Sequence, residues 1–302
     1  MPARRCFGRG HKLTIGLSSE LRDRVIQRLG FSSTPSPDLV GLRALYAAWC
    51  ARVPFDNVRK MIALRSNNDD PLPGGHATEF FESWLAYGAG GTCWPTSNAL
   101  YELAQSLGFK ADRITASMRD SGIRNHGSVR INLDGGRWLV DSAMLTVVPL
   151  PLDQEVFVSA DPVFGAEVEP VDATHVIWFD APPNTNYLPC RLLPDPVDHA
   201  CYLGAYEESR QQSPFNQRIY ARRNRPGELL VLWGHTRFSK TVEGLQVRDL
   251  SREEVCETLR TEVGISEDLV DQWVRVGGLE ASFEAPAGQK PPPIMQKPPS
   301  QR

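Results

Sequence analysis

Apolar positions recur at helical spacing through the first third of the chain and in alternation after it. Leu21, Val25, Ile26 and Leu29 share one face of a helix over Glu20–Leu29, capped by Ser18-Ser19 and ended by Gly30. Ser36-Pro37-Asp38 opens a second helix to about Arg52, whose Leu39, Leu42, Leu45, Tyr46 and Trp49 form a stripe that reads as core. Val53-Pro54-Phe55-Asp56-Asn57 breaks it, and Asn67–His76 is a polar loop rich in Gly and Pro. Thr78–Leu85 reads as a third helix. A fourth starts near Pro95, places Ala99, Leu100, Leu103, Ala104 and Leu107 on one face, and stops at Gly108. Behind a poorly patterned lead over Met1–Leu17, residues 1–109 therefore read as a helical bundle.

Beyond Phe109 the period falls to two. Strands are expected over Lys110–Met118, Gly127–Leu133 and Arg137–Asp141, the last two joined by the hairpin turn Asp134-Gly135-Gly136. Glu155–Val158 and Thr174–Phe179 add β-like runs punctuated by prolines, so residues 110–194 suit an antiparallel barrel or sheet. Residues 195–213 read as a connecting helix. Alternation returns over Arg218–Tyr220, Glu228–Trp233 and Arg237–Thr241, with Gly244 as a turn and Ser251-Arg252-Glu253-Glu254 as a capping box on a helix through Leu259. Residues 214–285 thus form a last unit mixing strand and helix. Residues 286–302, rich in Pro, Lys and Gln, are expected to be a disordered tail.

Composition narrows the function classes. A formal net charge of −3 gives no electrostatic reason to bind nucleic acid or anionic membrane. No apolar run approaches the ~20 residues of a membrane span, and the basic start lacks the apolar stretch of a signal peptide. The six cysteines are scattered without a CxxC pair, which argues against zinc or any other bound metal and for a reducing, cytoplasmic setting.

The candidate chemistry centres on Tyr87-Gly88-Ala89-Gly90-Gly91-Thr92-Cys93-Trp94-Pro95. Small residues clear the approach to Cys93, and the helix that follows points unpaired N–H groups at it. Such a setting favours a thiolate and can hold a developing oxyanion. An isolated cysteine beside a Gly-rich turn is more often structural; the glycines and the helix start favour a partly exposed nucleophile. Such a nucleophile needs a base and a group to orient that base. His126 begins one strand and Asp141 ends its hairpin partner, so the two can be cross-strand neighbours.

At these residues the chain resembles the arylamine N-acetyltransferases. Gly90-Gly91-Thr92-Cys93 matches that family's Gly-Gly-x-Cys, and Asn125-His126 and Leu139-Val140-Asp141 match its catalytic segments. Leu107-Gly108-Phe109 matches its following helix end, Val53-Pro54-Phe55-Asp56-Asn57 its Pro-Phe-Glu-Asn, and Ser213-Pro214-Phe215 the opening of its last unit. The resemblance implies an α+β fold of helical bundle, antiparallel β-barrel and C-terminal α/β lid, related to cysteine proteases. It implies a Cys93-His126-Asp141 triad and ping-pong transfer from acetyl-CoA, a co-substrate, to a small amine. No tightly bound cofactor is implied. Phe55, Trp94, Ser142 and Met144 are the residues it places against substrate.

The chain also departs from the family pattern. The family's Arg before Gly-Gly and Glu two after the cysteine are Ala89 and Pro95, so an ionic brace is lost as a pair. The Asn expected four after the cysteine is Ser97, with Asn98 next to it, and Gly-Phe-Gly after the aspartate is Ser142-Ala143-Met144. Side chains there would narrow the pocket for a rigid arene or line one for a flexible aliphatic chain, which predicts weak turnover of simple arylamines with acetyl-CoA and a preference for a different acyl donor or an aliphatic amine. Three other readings stay open. They are an amide synthase joining a longer acyl chain to an amine, a transglutaminase- or protease-like enzyme, and a non-catalytic binding protein.

Overall fold

A computed structural model describes residues 16–66, 70–183, 187–285 and 298–301. Most of the expected lead, the start of the Asn67–His76 loop and most of the tail lie outside the described residues. Local capping sets the first helices. Ser18 accepts from Leu21 N to start α1 (Ser19–Arg28), and Asp38 accepts from Gly41 N at 2.8 Å to start α2 (Leu39–Arg52). The chain then makes the two-residue strand β1 (Phe55–Asp56), α3 (Val58–Arg65), α4 (Ala77–Tyr87) and α5 (Cys93–Ser106). Trp49, Phe80, Phe81 and Trp84 stack edge and face in the centre of this bundle.

Eight antiparallel strands follow. They are β2 (Lys110–Met118), β3 (His126–Leu133), β4 (Gly136–Val140), β5 (Leu150–Pro151), β6 (Phe157–Val158), β7 (Ala166–Val171), β8 (Thr174–Phe179) and β9 (Leu188–Leu192). Their order, β5-β4-β3-β2-β9-β8-β7-β6, makes a nearly closed barrel around Ile114, Ala116, Leu139, Ile177 and Cys190. The run expected from Glu155 shrinks to Phe157–Val158.

The connecting helix is shorter than expected: α6 (His199–Glu208) starts at Asp198, which accepts from Cys201 N at 2.8 Å. After it come β10 (Tyr220–Arg225), β11 (Glu228–Trp233), β12 (Thr236–Thr241) and β13 (Gly244–Asp249). Gly244, expected as a turn, opens β13. Every β13 residue is exposed, and its short Leu245-Gln246-Val247-Arg248 alternation turns no face to a core. The capping box forms on α7 (Arg252–Glu257), which runs on through a π-helical turn, Thr258–Val263, to α8 (Glu267–Arg275) and α9 (Gly278–Glu284). The sheet order β1-β10-β11-β12-β13 brings an N-terminal strand into the C-terminal unit. The end of the tail departs from the expected disorder: Pro299–Gln301 forms a 3-10 turn, and Ser300 N–H donates to buried Glu167 at 2.9 Å.

Candidate active site

Cys93 is the first residue of α5, and the loop before it is held by β1. Asp56 N–H donates to Gly91 O at 3.1 Å, while its carboxylate accepts from Gly90 N at 2.7 Å and Val58 N at 3.1 Å. A side chain at Gly90 would place its Cβ 1.9 Å from Pro54 O, so the close approach of the two backbones requires glycine there. Backbone amides thus brace the loop where the family's charged pair is missing. The helix start carries no side-chain cap from Thr92, and Pro95 has no N–H. The N–H groups of Cys93 and Trp94 are therefore the donors that the first turn presents.

His126 opens β3 opposite Ala116 of β2, and Asp141 follows β4. Their side chains meet: Nε2 of His126 lies 2.7 Å from Oδ2 of Asp141. This leaves Nδ1 for Cys93, whose thiol also hydrogen-bonds the ring. Burial works against charge on the imidazole, but the Asp141 carboxylate outweighs it, with Cys93 adding to the effect, and lifts its pKa well above the usual range. For Asp141 burial again opposes charge. The imidazole and the N–H groups of Met144 and Ala143 overcome it and hold the carboxylate below its ordinary value.

The second turn of α5 references all three residues to one element. Ser97 Oγ donates to Gly127 O, next to His126, at 2.8 Å, and meets Ser142 Oγ, next to Asp141, at 2.8 Å. Ser142 donates on to Thr96 Oγ1 at 2.9 Å. Ser142, expected against substrate, is therefore a buried tie between the Asp141 loop and α5. Met144, expected in the acyl pocket, packs in the barrel core with Ile114 and Leu139. Ala143 is the residue of that segment that joins the cluster around Cys93. Asn98, the neighbour of Ser97, turns away and accepts from Arg113 Nε at 2.8 Å.

The two remaining expected contacts, Phe55 and Trp94, do pack with Cys93. The cluster also holds Leu72 and, from α6, Tyr202 and Tyr206. Phe55, Phe215 and Tyr220 meet edge to face with centroids 5.2 to 5.5 Å apart. Gly127 lets Trp94 and Tyr202 close in, since its Cβ would sit 2.8 Å from the indole. This covering leaves Cys93 only 6% exposed, less than a loop position suggests. A groove of about 790 Å³ between α3, α4 and α8 is lined by Arg59, Glu79, Glu82 and Asp268; the triad residues do not reach it.

Three residues at the site went unrecognised in the sequence. Tyr46 of α2, read as core, is buried, but its hydroxyl serves Asp141. It accepts from Asp141 N at 3.1 Å and Thr146 N at 3.1 Å, and donates to Asp141 O at 2.8 Å. A tyrosine hydroxyl in a stripe read as core is the one hint, because a buried hydroxyl needs a partner. Arg222 and Asn224 of β10 donate to Met144 O and Leu145 O, and nothing local marks them. Among the described residues, no group of three or more His, Cys, Asp or Glu is placed to hold a metal ion. No helix among them is long and apolar enough to cross a membrane.

Comparison with known proteins bears on this arrangement. A search of curated proteins finds none that matches. Solved structures agree in fold at low identity. The arylamine N-acetyltransferase from Mycobacterium abscessus superposes with a TM-score of 0.71 at 21% identity, covering 87% of this chain and 94% of that one. The Mycobacterium marinum enzyme in complex with CoA gives 0.74 at 17%, covering 86% and 97%. The Salmonella typhimurium enzyme gives 0.71 at 16%, covering 85% and 98%. A helical bundle, an antiparallel barrel and a mixed C-terminal unit are thus the fold this chain shares with these enzymes. An N-acetyltransferase family model matches residues 38–271, and the chain belongs to that family, the arylamine N-acetyltransferase family, as a divergent member.

Proposed function

We propose that the chain moves an acetyl or other acyl group from an acyl-CoA thioester to an amine by way of an acyl-cysteine on Cys93. The observation that carries this is the 2.7 Å contact of His126 Nε2 with Asp141, which turns the other ring nitrogen toward a thiol at a helix start. His126 takes the Cys93 proton, and the sulfur attacks the acyl carbonyl. The N–H groups of Cys93 and Trp94 hold the oxyanion. The bond from carbonyl carbon to CoA sulfur breaks, and His126 returns the proton to the leaving thiol. An amine then attacks the acyl-cysteine and gives its proton to His126, and Cys93 leaves with it. Asp141 holds the ring's orientation and stabilises its charged form throughout. The CoA complex of the M. marinum enzyme supports the donor class.

The placement of Met144 in the barrel core changes the expected acceptor. The segment's only side chain in the Cys93 cluster is a methyl, and the Phe55–Phe215–Tyr220 trio offers ring edges and faces. An arylamine therefore fits better than the sequence suggests. Intact-protein mass spectrometry after incubation with a panel of acyl-CoAs tests the reading. One acyl group should appear on Cys93, disappear on adding an arylamine and be absent from Cys93→Ala. No acylation by any donor, or acylation that survives Cys93→Ala, refutes it.

A further inference from the structure

The triad is a buried group of charges with a negative sum. Asp141 is 1% exposed and His126 3%. An imidazolium matched by a thiolate leaves Asp141 as one net negative charge. After acylation, a neutral ring beside a thioester leaves the same sum. Burying an unmatched charge is costly, so a cation is expected nearby.

Arg222 of β10 answers that description. It is 2% exposed, it donates through Nη2 to Met144 O, it lies beside the Tyr220 hydroxyl, and its Nε and Nη1 make no hydrogen bond of good geometry among the described residues. The titratable groups that face it are Tyr220 on its own strand, Tyr46 and Cys50 of α2, and Asp141. Burial pushes Tyr46 far up and Cys50 up to about 12, and it raises Tyr220 as well, so Asp141 is the anion of the set. Asp141 in turn faces His126, Cys190 and Tyr202; burial raises the last two well above their usual values.

Arg222 also touches the loop that carries Asp141. Next to its contact at Met144, Asn224 Nδ2 donates to Leu145 O at 2.6 Å. Leu145 and Val147 hold φ values of 50° and 67°, in the left-handed region, so the loop needs fixing from outside itself. A buried guanidinium without a carboxylate in direct contact is a poor choice for stability alone, where an apolar side chain would serve.

We infer that Arg222 is a positioning residue of the triad: it supplies the buried countercharge to Asp141 and, with Asn224, pins the loop that carries it. This rests on the Cys93–His126–Asp141 reading, and the test needs no acyl donor. The pH–rate profile of iodoacetamide alkylation at Cys93 is measured in the wild type and in Arg222→Gln, Arg222→Lys and Asn224→Ala. The midpoint of that profile belongs to the Cys93–His126 pair. Removing a nearby positive charge favours the protonated forms, so in Arg222→Gln, which keeps a donor for Met144 O, the midpoint should rise by about half a unit to one unit. Below the midpoint this is a roughly three- to tenfold slower reaction. Arg222→Lys keeps the charge and should follow the wild type. Asn224→Ala should lower melting temperature and leave the midpoint in place.

Superimposable profiles for Arg222→Gln and the wild type, or an equal shift in Asn224→Ala, would overturn the inference. If Arg222→Gln fails to fold, a shifted midpoint in folded Arg222→Lys overturns it and an unshifted one supports it. A loss in Arg222→Gln confined to carboxylate-bearing substrates, with the alkylation profile unmoved, would instead make Arg222 a reader of substrate charge. A wild type whose Cys93 alkylates no faster than the other cysteines would defeat the triad reading itself.

Discussion

Replacing Tyr46 with Phe removes a single oxygen from the centre of the molecule and leaves the ring and its packing in place. That oxygen is buried and serves three backbone groups: it accepts from the N–H of Asp141 and of Thr146 and donates to Asp141 O. Thr146 Oγ1, 3.0 Å away, shares the same hydroxyl. In Tyr46→Phe two buried N–H groups lose an acceptor, and each orphaned group costs about 1–3 kcal/mol. No cavity larger than the oxygen opens, so the packing contribution is small. A destabilisation of about 3–4 kcal/mol is expected after allowing for local relaxation. Tyr202→Phe is the control. Its hydroxyl, also buried, bonds only carbonyl oxygens, of Ile114 and Ser128 at 2.6 Å. Ladder strands supply those carbonyls with other donors, so about 1 kcal/mol should be lost. Urea unfolding should show the difference as a shift in midpoint with an unchanged slope. Alkylation of Cys93 should slow in Tyr46→Phe alone, because the backbone under Asp141 is no longer held. Equal losses in the two variants, or less than about 1 kcal/mol in Tyr46→Phe, would refute the reasoning.

Two further expectations concern buried carboxylates. Burial raises Asp56 to about 6 against the amides of Gly90 and Val58. Its folded value lies above its unfolded one. Its contribution to stability is therefore fully present below about pH 4 and is lost as pH rises through about 6, to the extent of about 3 kcal/mol. The stability of the wild type relative to Asp56→Asn, followed by urea unfolding from pH 4.5 upward, should fall across that window; parallel curves would show that Asp56 does not titrate there. Removing residues 298–302 takes the two Ser300 hydrogen bonds from Glu167, which is 1% exposed, and leaves it the Tyr187 hydroxyl. The truncated chain should lose about 1–3 kcal/mol, partly restored by Glu167→Gln, and an unchanged melting temperature would show that the contact carries no weight.

What could be read from the sequence follows the range over which each signal acts. Ser18, Asp38 and the Ser251–Glu254 box work within four residues, and the helices they start lie where their spacing predicts. β2, β8 and β11 are covered on both faces along most of their length and read as compact β-branched and apolar runs bounded by polar or turn residues, so their ends match as well. α3 went unseen because Asn57, its cap position, spends its side chain elsewhere. Its Nδ2 donates to Phe215 O and Arg218 O, and no capping bond forms. β7 was hidden by Pro170, and β13 by its lack of a buried face. At the site, the Gly-rich approach to Cys93 and the hairpin linking His126 to Asp141 are local and were legible. The direction of Met144 was not, since its side chain turns on the twist of a loop held by β10, about 80 residues downstream. Tyr46 and Arg222 act through contacts made from distant parts of the chain, for which no spacing rule exists.

The smallest strand has a consequence for synthesis. β1 is two residues long, yet it lies between the Gly90-Gly91 loop on one side and β10 on the other. Asn57 beside it accepts from Tyr220 N, 163 residues later in the chain. On a ribosome the bundle and the nucleophile loop emerge first, with one flank of β1 unpaired until β10 has been made. Closing a loop that long is slow compared with forming a helix or hairpin. A nascent chain halted after the barrel would therefore carry Cys93 on a loop braced from one side only, with its thiol present well before its final surroundings.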